Sequence, residues 1–305
     1  MGIGISVAMA SYNGRKYIRE QIESIMRQSC KVNQLVIIDD ASPEKSEDIL
    51  RSCIEGYDCE LVYRVHEEYR GYAQTFLEAL SLTTGEYVFL ADQDDIWEED
   101  KVKISLQTMQ ENPSILCLSS CNTLIDGEGK KIHQEKMRGA KLQKVSAEEL
   151  ILQKKLRPGM SLVLRDTVVR KLAAIDTAEY RQHDRLVEYL AMLDDGFYVL
   201  KEYLNRYRIH GENTSGLNLS HFKPRTGREG RLQQIEKELD YLKLIRPYDS
   251  RYEALIDKSS RFYVARRELL ERKKVIPFLF KSLSVLYGYR GIRVWLGDLR
   301  SIIKG

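Results

Sequence analysis

A run of strand-forming residues in the first third of the chain ends in three closely spaced carboxylates. The run is Tyr87–Ala91, and Asp92, Asp94 and Asp95 follow it directly. Because alternate side chains of an extended chain share a face, Asp92 and Asp94 can point at one object while Gln93 points away. Two convergent carboxylates suit a Mg²⁺ or Mn²⁺ ion that also holds substrate phosphates. The stretch therefore predicts a metal or charge-handling site.

A purely structural interpretation of these carboxylates competes with the metal site. Asp94 and Asp95 could stop the strand and cap a helix that begins near Glu99, because aspartate is a favoured helix N-cap. Such a role accounts for one acidic residue well and for three poorly. The metal site is the favoured interpretation.

Two other predicted strands also end in polar residues. The first strand leads into Ser11-Tyr12-Asn13, and the second ends in Asp39-Asp40. In an open parallel sheet such ends meet at one edge, where a nucleotide binds in the crevice. The motifs G-x-G-x-x-G and G-x-x-x-x-G-K-[ST] are absent after the first strand, which argues against an NAD enzyme and a P-loop ATPase.

The elements that position these residues alternate in type through the first 120 residues. The expected strands are Ile3–Ala10, Gln34–Asp39, Cys59–Val65, Tyr87–Ala91 and Ile115–Ser120, and the expected helices are Tyr17–Gln28, Ser46–Glu55, Tyr72–Thr83 and Glu99–Glu111. This alternation predicts βαβ units, an α/β fold and a mostly parallel, Rossmann-like sheet flanked by helices. Further on we expect a turn or hairpin at 126–130, a helix, and short strands at Ser161–Arg165, Gly196–Val199 and Leu204–Arg208.

Five segments in this order resemble family 2 glycosyltransferases with the GT-A fold, and in particular bacterial rhamnosyltransferase-type enzymes of surface polysaccharide synthesis. They span most of residues 3–216 and are Ile5–Gly14, Ile37–Ser42, Leu90–Trp97, His183-Asp184 and Tyr207–Gly216. Each segment alone would be a weak signal. The five together at sensible spacing are a specific one.

The resemblance implies a role for each matching residue. Asp184 would be the catalytic base, Asp94 would hold the divalent cation, and His210 would lie near the metal or the diphosphate. Tyr12 would lie against the base, Asp40 would hydrogen-bond it, and Asp92 would meet the ribose or the metal. The implied nucleotide-sugar contacts are Ala10, Tyr12, Asn13, Asp40, Gly71, Asp92, Gln93 and Arg208.

Several of these residues have competing interpretations. Asp184 could instead cap a helix at Arg185–Met192, and Asp194-Asp195 is a nearby alternative base that looks more like a helix end. His210 lies between Arg208 and a loop of phosphate-compatible donors, which favours a functional role over a structural one.

Three other positions stay open. The segment Pro158–Ser161 resembles the family's acceptor side but also fits a tight turn into a strand. Trp97 could pack under the acidic loop or wall the sugar pocket. Many relatives have Asn-x-Gly where this chain has Tyr69-Arg70-Gly71, so no nucleotide contact is assigned to Tyr69, while Arg70 could reach phosphate.

Bulk composition fits a large α/β protein of the cytoplasm. The chain has 305 residues, 43% hydrophobic and 30% charged. Five cysteines without a C-x-x-C pair are typical of free thiols in a reducing compartment. We find neither a signal-peptide pattern nor an apolar run near the roughly 20 residues that span a bilayer.

The net charge of +3 conceals two unlike parts. Residues 222–305 hold 20 Lys and Arg against 10 Asp and Glu, whereas the first 221 hold 28 against 35. We therefore expect a catalytic domain over 1–221 and a basic helical region over 222–305. Basic clusters interleaved with apolar residues there are typical of a surface that lies on an anionic membrane leaflet. Packing on the catalytic domain or on a second copy, as in a homodimer, explains the pattern equally well, and nucleic-acid binding less well.

The favoured function is metal-dependent, inverting transfer of a sugar to a glycan or lipid-linked acceptor, with dTDP-rhamnose as the leading donor. The alternatives are a hexosyl or N-acetylhexosaminyl transferase that uses a UDP-sugar, a non-catalytic sugar-nucleotide-binding assembly protein, and a nucleotidyltransferase. The joint presence of Asp92, Asp94 and Asp184 argues against the non-catalytic assembly protein, which could lose any of the three.

Overall fold

The part of the chain that the structure, a computed structural model, describes comprises residues 4–134, 137, 139–152, 157–178, 182–210, 227–272, 274–289 and 291–303. The chain divides into two units, residues 1–145 with 157–219, and residues 146–156 with 220–305. The expected boundary after residue 221 lies outside the described residues. None of the described helices is both long enough and apolar enough to cross a membrane.

The first unit is built around one mixed sheet. Its strands are β1 Ile5–Ser11, β2 Gln34–Asp39, β3 Glu60–Val65, β4 Tyr87–Asp92, β5 Ile96–Trp97, β6 Cys117–Ile125, β7 Lys131–Gln134, β8 Leu142–Lys144, β9 Leu162–Arg165 and β10 Phe197–Arg208. Its helices are α1 Ile18–Met26, α2 Glu47–Ile54, α3 Tyr72–Ser81, α4 Lys101–Glu111, α6 Asp166–Ala173 and α7 His183–Leu193, with 3-10 turns at Gly14–Lys16 and Gly159–Ser161. Helix α5, Ala147–Ile151, belongs to the second unit.

The strand order is β3-β2-β1-β4-β9-β6-β10-β5, with β7 on β6 and β8 on β10. Strands β3, β2, β1 and β4 are parallel, as the alternation predicts. Strand β9 then inserts antiparallel between β4 and β6, so the parallel arrangement does not extend across the whole sheet. The chain reverses direction across the sheet between β1 and β4, which is where open α/β sheets bind ligands.

The centre of this sheet is dry on both faces. Every residue of β2 is buried, as is all of β1 but Ala10 and all of β4 but Asp92. Continuous runs of valine, isoleucine, leucine and phenylalanine are what a strand covered on both sides requires. The two least buried positions, Ala10 and Asp92, face each other in register at the carboxyl edge.

The later strands depart from the expected pattern in two places. The two short strands predicted at 196–208 form one strand, β10, which pairs with β6 through register shifts near Tyr203. The turn at 126–130 does form a hairpin, in which β6 and β7 are antiparallel. Asp126 stabilises it by accepting from the backbone of Glu128 and Lys130.

The second unit is helical. It comprises α5, α8 Arg228–Ile245, α9 Glu253–Glu271, α10 Val275–Lys281 and α11 Ile292–Ile303, with 3-10 segments at Arg246–Tyr248, Ser250–Tyr252 and Ser282–Gly288. Apolar residues spaced by three and four on α8 and α9 pack the two helices together. The buried carboxylate of Asp298 accepts from Arg231, Arg266 and the Tyr289 hydroxyl.

Candidate active site

The carboxyl ends of β1 and β4 are tied together by Gln93. Its Oε1 accepts from the Tyr12 backbone N–H at 2.8 Å and from Ser11 Oγ at 2.9 Å, while its Nε2 donates to the Tyr12 carbonyl at 2.8 Å. Its side-chain amide makes all three of these contacts with the end of β1. Gln93 therefore positions Tyr12, and its predicted direct contact with a nucleotide-sugar stays a prediction.

Tyr12 lies in an exposed aromatic pair that sequence reasoning missed. Its ring meets Tyr69 edge-on at 5.1 Å between centroids, and the two residues are 45% and 60% exposed. The next residue, Asn13, has φ 53°, a left-handed conformation that asparagine tolerates, and its N–H donates to Ser42 Oγ. The pair offers apolar ring surface beside the strand ends.

Asp40 is almost fully buried and holds the loop that carries Tyr69. Its Oδ1 accepts from the Arg70 N–H at 2.8 Å and its Oδ2 from the Gly71 N–H at 2.7 Å. Oδ1 also meets His66 Nδ1 at 2.8 Å, and His66 Nε2 meets Glu78 at 2.8 Å. Both oxygens thus accept hydrogen bonds from the protein and Asp40 anchors the loop, while its predicted hydrogen bond to the base stays a prediction. His66 has no motif around it, so the sequence gives no signal of this role.

Asp94 and His210 form a close pair at the same edge. Asp94 Oδ2 and His210 Nε2 are 2.7 Å apart, and both side chains are mostly buried. The ring of His210 packs against Tyr17 at 4.9 Å between centroids. The structure thus brings together the two residues that the sequence assigned to the metal. The loop that follows, residues 211–216, lies outside the described residues.

Asp95 has a different environment from its neighbours. It is fully buried and its Oδ1 accepts from the Arg208 N–H at 2.8 Å. Helix α4 begins at Lys101 after Asp100, so the interpretation of Asp94 and Asp95 as helix caps is wrong. Burial, and then the charges of Asp94 and Asp92, raise the pKa of Asp95 well above its usual range.

Arg208 supports the acidic segment Asp92–Asp95 from the protein interior. It is 1% exposed, and its guanidinium donates to the carbonyls of Asp94 and Gly127 and to the Glu20 carboxylate. These hydrogen bonds give Arg208 a role in holding this segment. Its predicted contact with the nucleotide-sugar stays a prediction.

A buried lysine under the site also escaped sequence reasoning. Lys101 donates to Asn205 Oδ1 and to the Met160 carbonyl, and its Nζ lies 3.7 Å from the centre of the Trp97 ring. Burial lowers the pKa of Lys101 well below its usual value, and the charges of Asp95 and Asp92 oppose that shift. Trp97 is buried and packs against Phe89, so it supports the loop and walls no pocket.

Asp184 faces the strand ends from helix α7. It is the second residue of the helix, whose N-cap is Gln182, so the capping alternative is wrong. Burial, and then the charge of Asp184, raise the pKa of Tyr72, and the same charge adds to the effect of burial on the pKa of Asp92. The Cβ of Asp184 lies 3.5 Å from where a Cβ on Gly159 would stand. Asp184 therefore shares one electrostatic environment with Asp92.

Asp92 remains partly exposed at this edge of the sheet, and its pKa is strongly shifted. Enclosure by protein, and then the charges of Asp94 and Asp184, raise its pKa to about 7, against a weaker opposing effect of Lys101. Like charges held this close favour a cation between them. The alternative base, Asp194, lies at the other end of α7 and pairs with Lys171.

The remaining predicted positions line the same edge. Ala10 pairs in register with Asp92. Gly71 begins α3 with φ 88°, a conformation that favours glycine. Pro158–Ser161 forms a 3-10 turn into β9, with Gly159 against His183 and Asp184.

The donor set fits a divalent cation that shares its ligands with a substrate. Among the described residues no group of three or more His, Cys, Asp or Glu side chains forms a complete metal cage. Asp94 and His210 supply two convergent ligands, and Asp95 Oδ2 has no hydrogen-bond partner in the described part of the chain. Mg²⁺ in phosphate-handling sites is held by one or two carboxylates, with phosphates and water completing its shell, and Asp94 fits that role.

The family model for glycosyl transferase family 2 matches residues 6–166. The chain belongs to glycosyl transferase family 2. An uncharacterized glycosyltransferase of Nostoc sp. is 28% identical over 214 residues, which are 68% of this chain and 66% of that protein. TuaG of Bacillus subtilis, a glycosyltransferase named for teichuronic acid biosynthesis, is 37% identical over 35% of this chain and 42% of its own.

Solved structures share the fold at low identity. TarS 1-349 of S. aureus in complex with UDP has a TM-score of 0.60 and 17% identity, over 87% of this chain and 71% of its own. The mannosyltransferase PcManGT of Pyrobaculum calidifontis, in complex with GDP-Man and Mn²⁺, has a TM-score of 0.61 and 14% identity, over 99% and 86%. The predicted GT-A fold is thereby confirmed.

Proposed function

We propose that this chain is an inverting, metal-dependent glycosyltransferase that moves a sugar from a nucleotide-sugar to the hydroxyl of a glycan or lipid-linked acceptor. The observation that carries the proposal is the close pair of Asp94 and His210 that follows β4, with Asp94 Oδ2 at 2.7 Å from His210 Nε2. The charges of Asp94 and Asp184, after burial, raise the pKa of Asp92, which supports placing all three carboxylates in one site. A nucleotide-binding protein without transfer activity has no need of Asp184 beside this cluster.

Asp184 is the proposed base. It lies in the first turn of α7. Its Oδ1 accepts a hydrogen bond from the backbone N–H of the next residue, Arg185, at 2.9 Å. A carboxylate there can take the proton from an acceptor hydroxyl as the new glycosidic bond forms. A single displacement of this kind inverts the anomeric carbon through an oxocarbenium-like transition state.

Asp94 and His210 are the proposed metal ligands, with Asp92 beside them. When bound, Mg²⁺ or Mn²⁺ neutralises charge that develops on the departing diphosphate. Asp95 and Arg208 hold the Asp94 backbone and the strand β10 that leads to His210. These two residues act by positioning the ligands.

Tyr12 and Tyr69 are the proposed platform for the nucleotide base. An edge-on aromatic pair that remains exposed can gain apolar contact with a planar ring. Gln93 fixes one member of the pair and Asp40 fixes the loop of the other. In this proposal Asp40 and Gln93 select the base by shaping its platform.

Two donor classes remain in competition. The resemblance of the motifs to rhamnosyltransferase-type enzymes favours dTDP-rhamnose. The TarS complexes with UDP and UDP-GlcNAc favour a UDP-hexosamine, since they share the fold. The names of TuaG and of the chondroitin synthase of Escherichia coli support a polysaccharide acceptor, and a lipid-linked one would place transfer at the cytoplasmic face of the plasma membrane.

A panel of donors tests the proposal. The protein is heated with Mn²⁺ or Mg²⁺ and each of several dTDP-, UDP- and GDP-sugars, and its melting temperature is compared with that in metal alone. We expect one donor class to raise the melting temperature and to release its nucleoside diphosphate slowly. Asp94→Asn should lose both responses, whereas the exposed Asp58→Asn should keep them. A protein indifferent to every donor would contradict the proposal.

A further inference from the structure

The segment after α9 presents apolar side chains to solvent in a helical pattern. In α10 and the following 3-10 helix, Phe278, Ser282 and Val285 face inward. Other residues of these helices face outward, with Phe280 72%, Ile276 69% and Leu283 59% exposed. Positions 276, 280 and 283 are spaced by four and three, so they form one outward stripe.

Helix α11 repeats this arrangement with basic residues in the stripe. Ile292, Leu296 and Ile303 are exposed, and Arg293 and Arg300 are exposed beside them. The helix turns Asp298 inward, where it pairs with Arg231 and Arg266. The outward face thus keeps its cations, while the carboxylate is buried and neutralised.

The two stripes lie on helical segments that contact each other. The rings of Phe278 and Trp295 are 5.6 Å apart, and Trp295 Nε1 donates to Ser282 Oγ at 2.8 Å. We call the combined surface the apolar-basic face. It consists of Lys274, Ile276, Leu279, Phe280, Lys281, Leu283, Leu286, Tyr287, Ile292, Arg293, Leu296, Arg300 and Ile303.

The charge of the apolar-basic face indicates which kind of partner fits it. Every exposed residue that the structure describes between 274 and 303 is apolar, basic, serine or glycine. Residues 273–304 contain seven Lys and Arg against the single Asp298. A second copy docked face to face would bring like charges together, which is unfavourable. An anionic phospholipid surface instead supplies an apolar interior for the large side chains and phosphates for the cations.

We propose that the apolar-basic face docks the protein on an anionic phospholipid bilayer, with Ile276, Phe280 and Ile292 inserted at the level of the headgroups. Lys281, Arg293 and Arg300 contact lipid phosphates around them. Partial insertion of exposed aromatic and aliphatic residues together with basic neighbours is the general mode of interfacial helices. The proposal concerns the second unit alone and does not depend on the identity of the sugar donor.

The test is co-sedimentation of the full chain with vesicles of phosphatidylcholine, with and without phosphatidylglycerol. We expect binding only when phosphatidylglycerol is present, and weaker binding at high salt. Phe280→Glu should weaken binding by about tenfold or more, because it removes buried apolar area and adds a repelled charge. Lys281→Glu should weaken it by about tenfold as well.

Matched controls separate this face from general stickiness. Tyr57→Glu changes an exposed aromatic residue of the first unit, and Lys237→Glu changes an exposed lysine on α8. Both should bind vesicles as the wild type does. Circular dichroism of Phe280→Glu should match the wild type, because the side chain is exposed.

Two results would overturn the proposal. One is equal sedimentation with and without phosphatidylglycerol, or none with either. The other is a wild-type dimer in analytical ultracentrifugation that Phe280→Glu dissociates, since the face would then be covered by a second copy. Phe280→Glu should be stabilised by the sugar donor as the wild type is. A failure of the membrane proposal would therefore not count against the proposed glycosyl transfer, which the donor panel tests separately.

Discussion

At the scale of single residues, the site separates side chains that meet the substrate from side chains that hold them. Asp94 and His210 converge in a partly accessible place, whereas Asp95 and Arg208 are sealed beneath them. All four belong to motifs that the sequence displays, and the motif alone does not tell the two roles apart. The difference is set by burial, which depends on how β5, β6 and β10 pair.

Arg208 allows a direct test of this separation, with Arg206 as a matched control on the same strand. Arg208→Ala should lower the free energy of unfolding by about 3 kcal/mol or more, because it leaves a cavity and unpaired carbonyls. Arg206 pairs with Glu98 at the surface, so Arg206→Ala should cost roughly 0–1 kcal/mol. Urea unfolding measures both. An Arg208→Ala protein that has normal stability but no longer binds the donor would contradict this structural role. It would support a direct contact of Arg208 with the nucleotide-sugar.

At the scale of elements, the loop between β3 and α3 is a built support for the aromatic platform. His66 joins Asp40 to Glu78, and Asp40 receives two successive backbone N–H groups of the loop. Gly71 ends the loop with φ 88° and ψ 149°, a region that side chains with a Cβ rarely adopt. The loop is therefore held by one carboxylate and one special backbone conformation.

Gly71→Ala should lower the free energy of unfolding by about 1–3 kcal/mol, because alanine is strained at this φ. It should also raise the KM for the donor, because Tyr69 is displaced from Tyr12. Gly227→Ala is the control: its φ is −56° and a Cβ there meets nothing within 4 Å. Equal stability and equal KM in the two variants would contradict the role of the loop.

Local patterns predict the first half of the sheet well and the second half less well. Strands β1, β2 and β4 are largely apolar runs, β3 is a more exposed edge strand, and helices separate all four. Such an alternation predicts neighbouring parallel strands. Strand β9 inserts between β4 and β6 from a distant part of the sequence, and no local signal indicates its partner. Another long-range pairing, of β10 with β5, brings Asn205 to Lys101, so this support of the site was not predictable either.

At the scale of the whole molecule, a buried histidine makes stability depend on pH. His183 stacks on Phe76 at 4.0 Å, and its two ring nitrogens have no hydrogen-bond partner among the described residues. Burial lowers the pKa of His183 to about 4, with the charge of Asp184 acting in the opposite direction. Its usual value of 6.5 applies in the unfolded chain.

Stability should therefore fall as the pH drops from about 6.5 to about 4, because the unfolded state binds a proton that the folded state refuses. The loss attributable to His183 is up to about 3 kcal/mol. Urea unfolding of a Trp295→Phe protein, in which Trp97 reports on the first unit, measures it. His183→Gln should flatten the slope and the exposed His133→Gln should not. Identical slopes in all three would rule out this origin.

The assignment of Asp184 as base is the central claim, and one paired measurement tests it most directly. Two quantities are measured in Asp184→Asn and Asp194→Asn with the donor that stabilises the wild type. They are the affinity for the donor and the rate at which nucleoside diphosphate is released when acceptor is present. Loss of a general base should slow Asp184→Asn by about 10²- to 10⁴-fold while its donor affinity stays near that of the wild type. Asp194→Asn should turn over normally. An active Asp184→Asn enzyme, or one that has lost donor binding instead of turnover, would contradict the account.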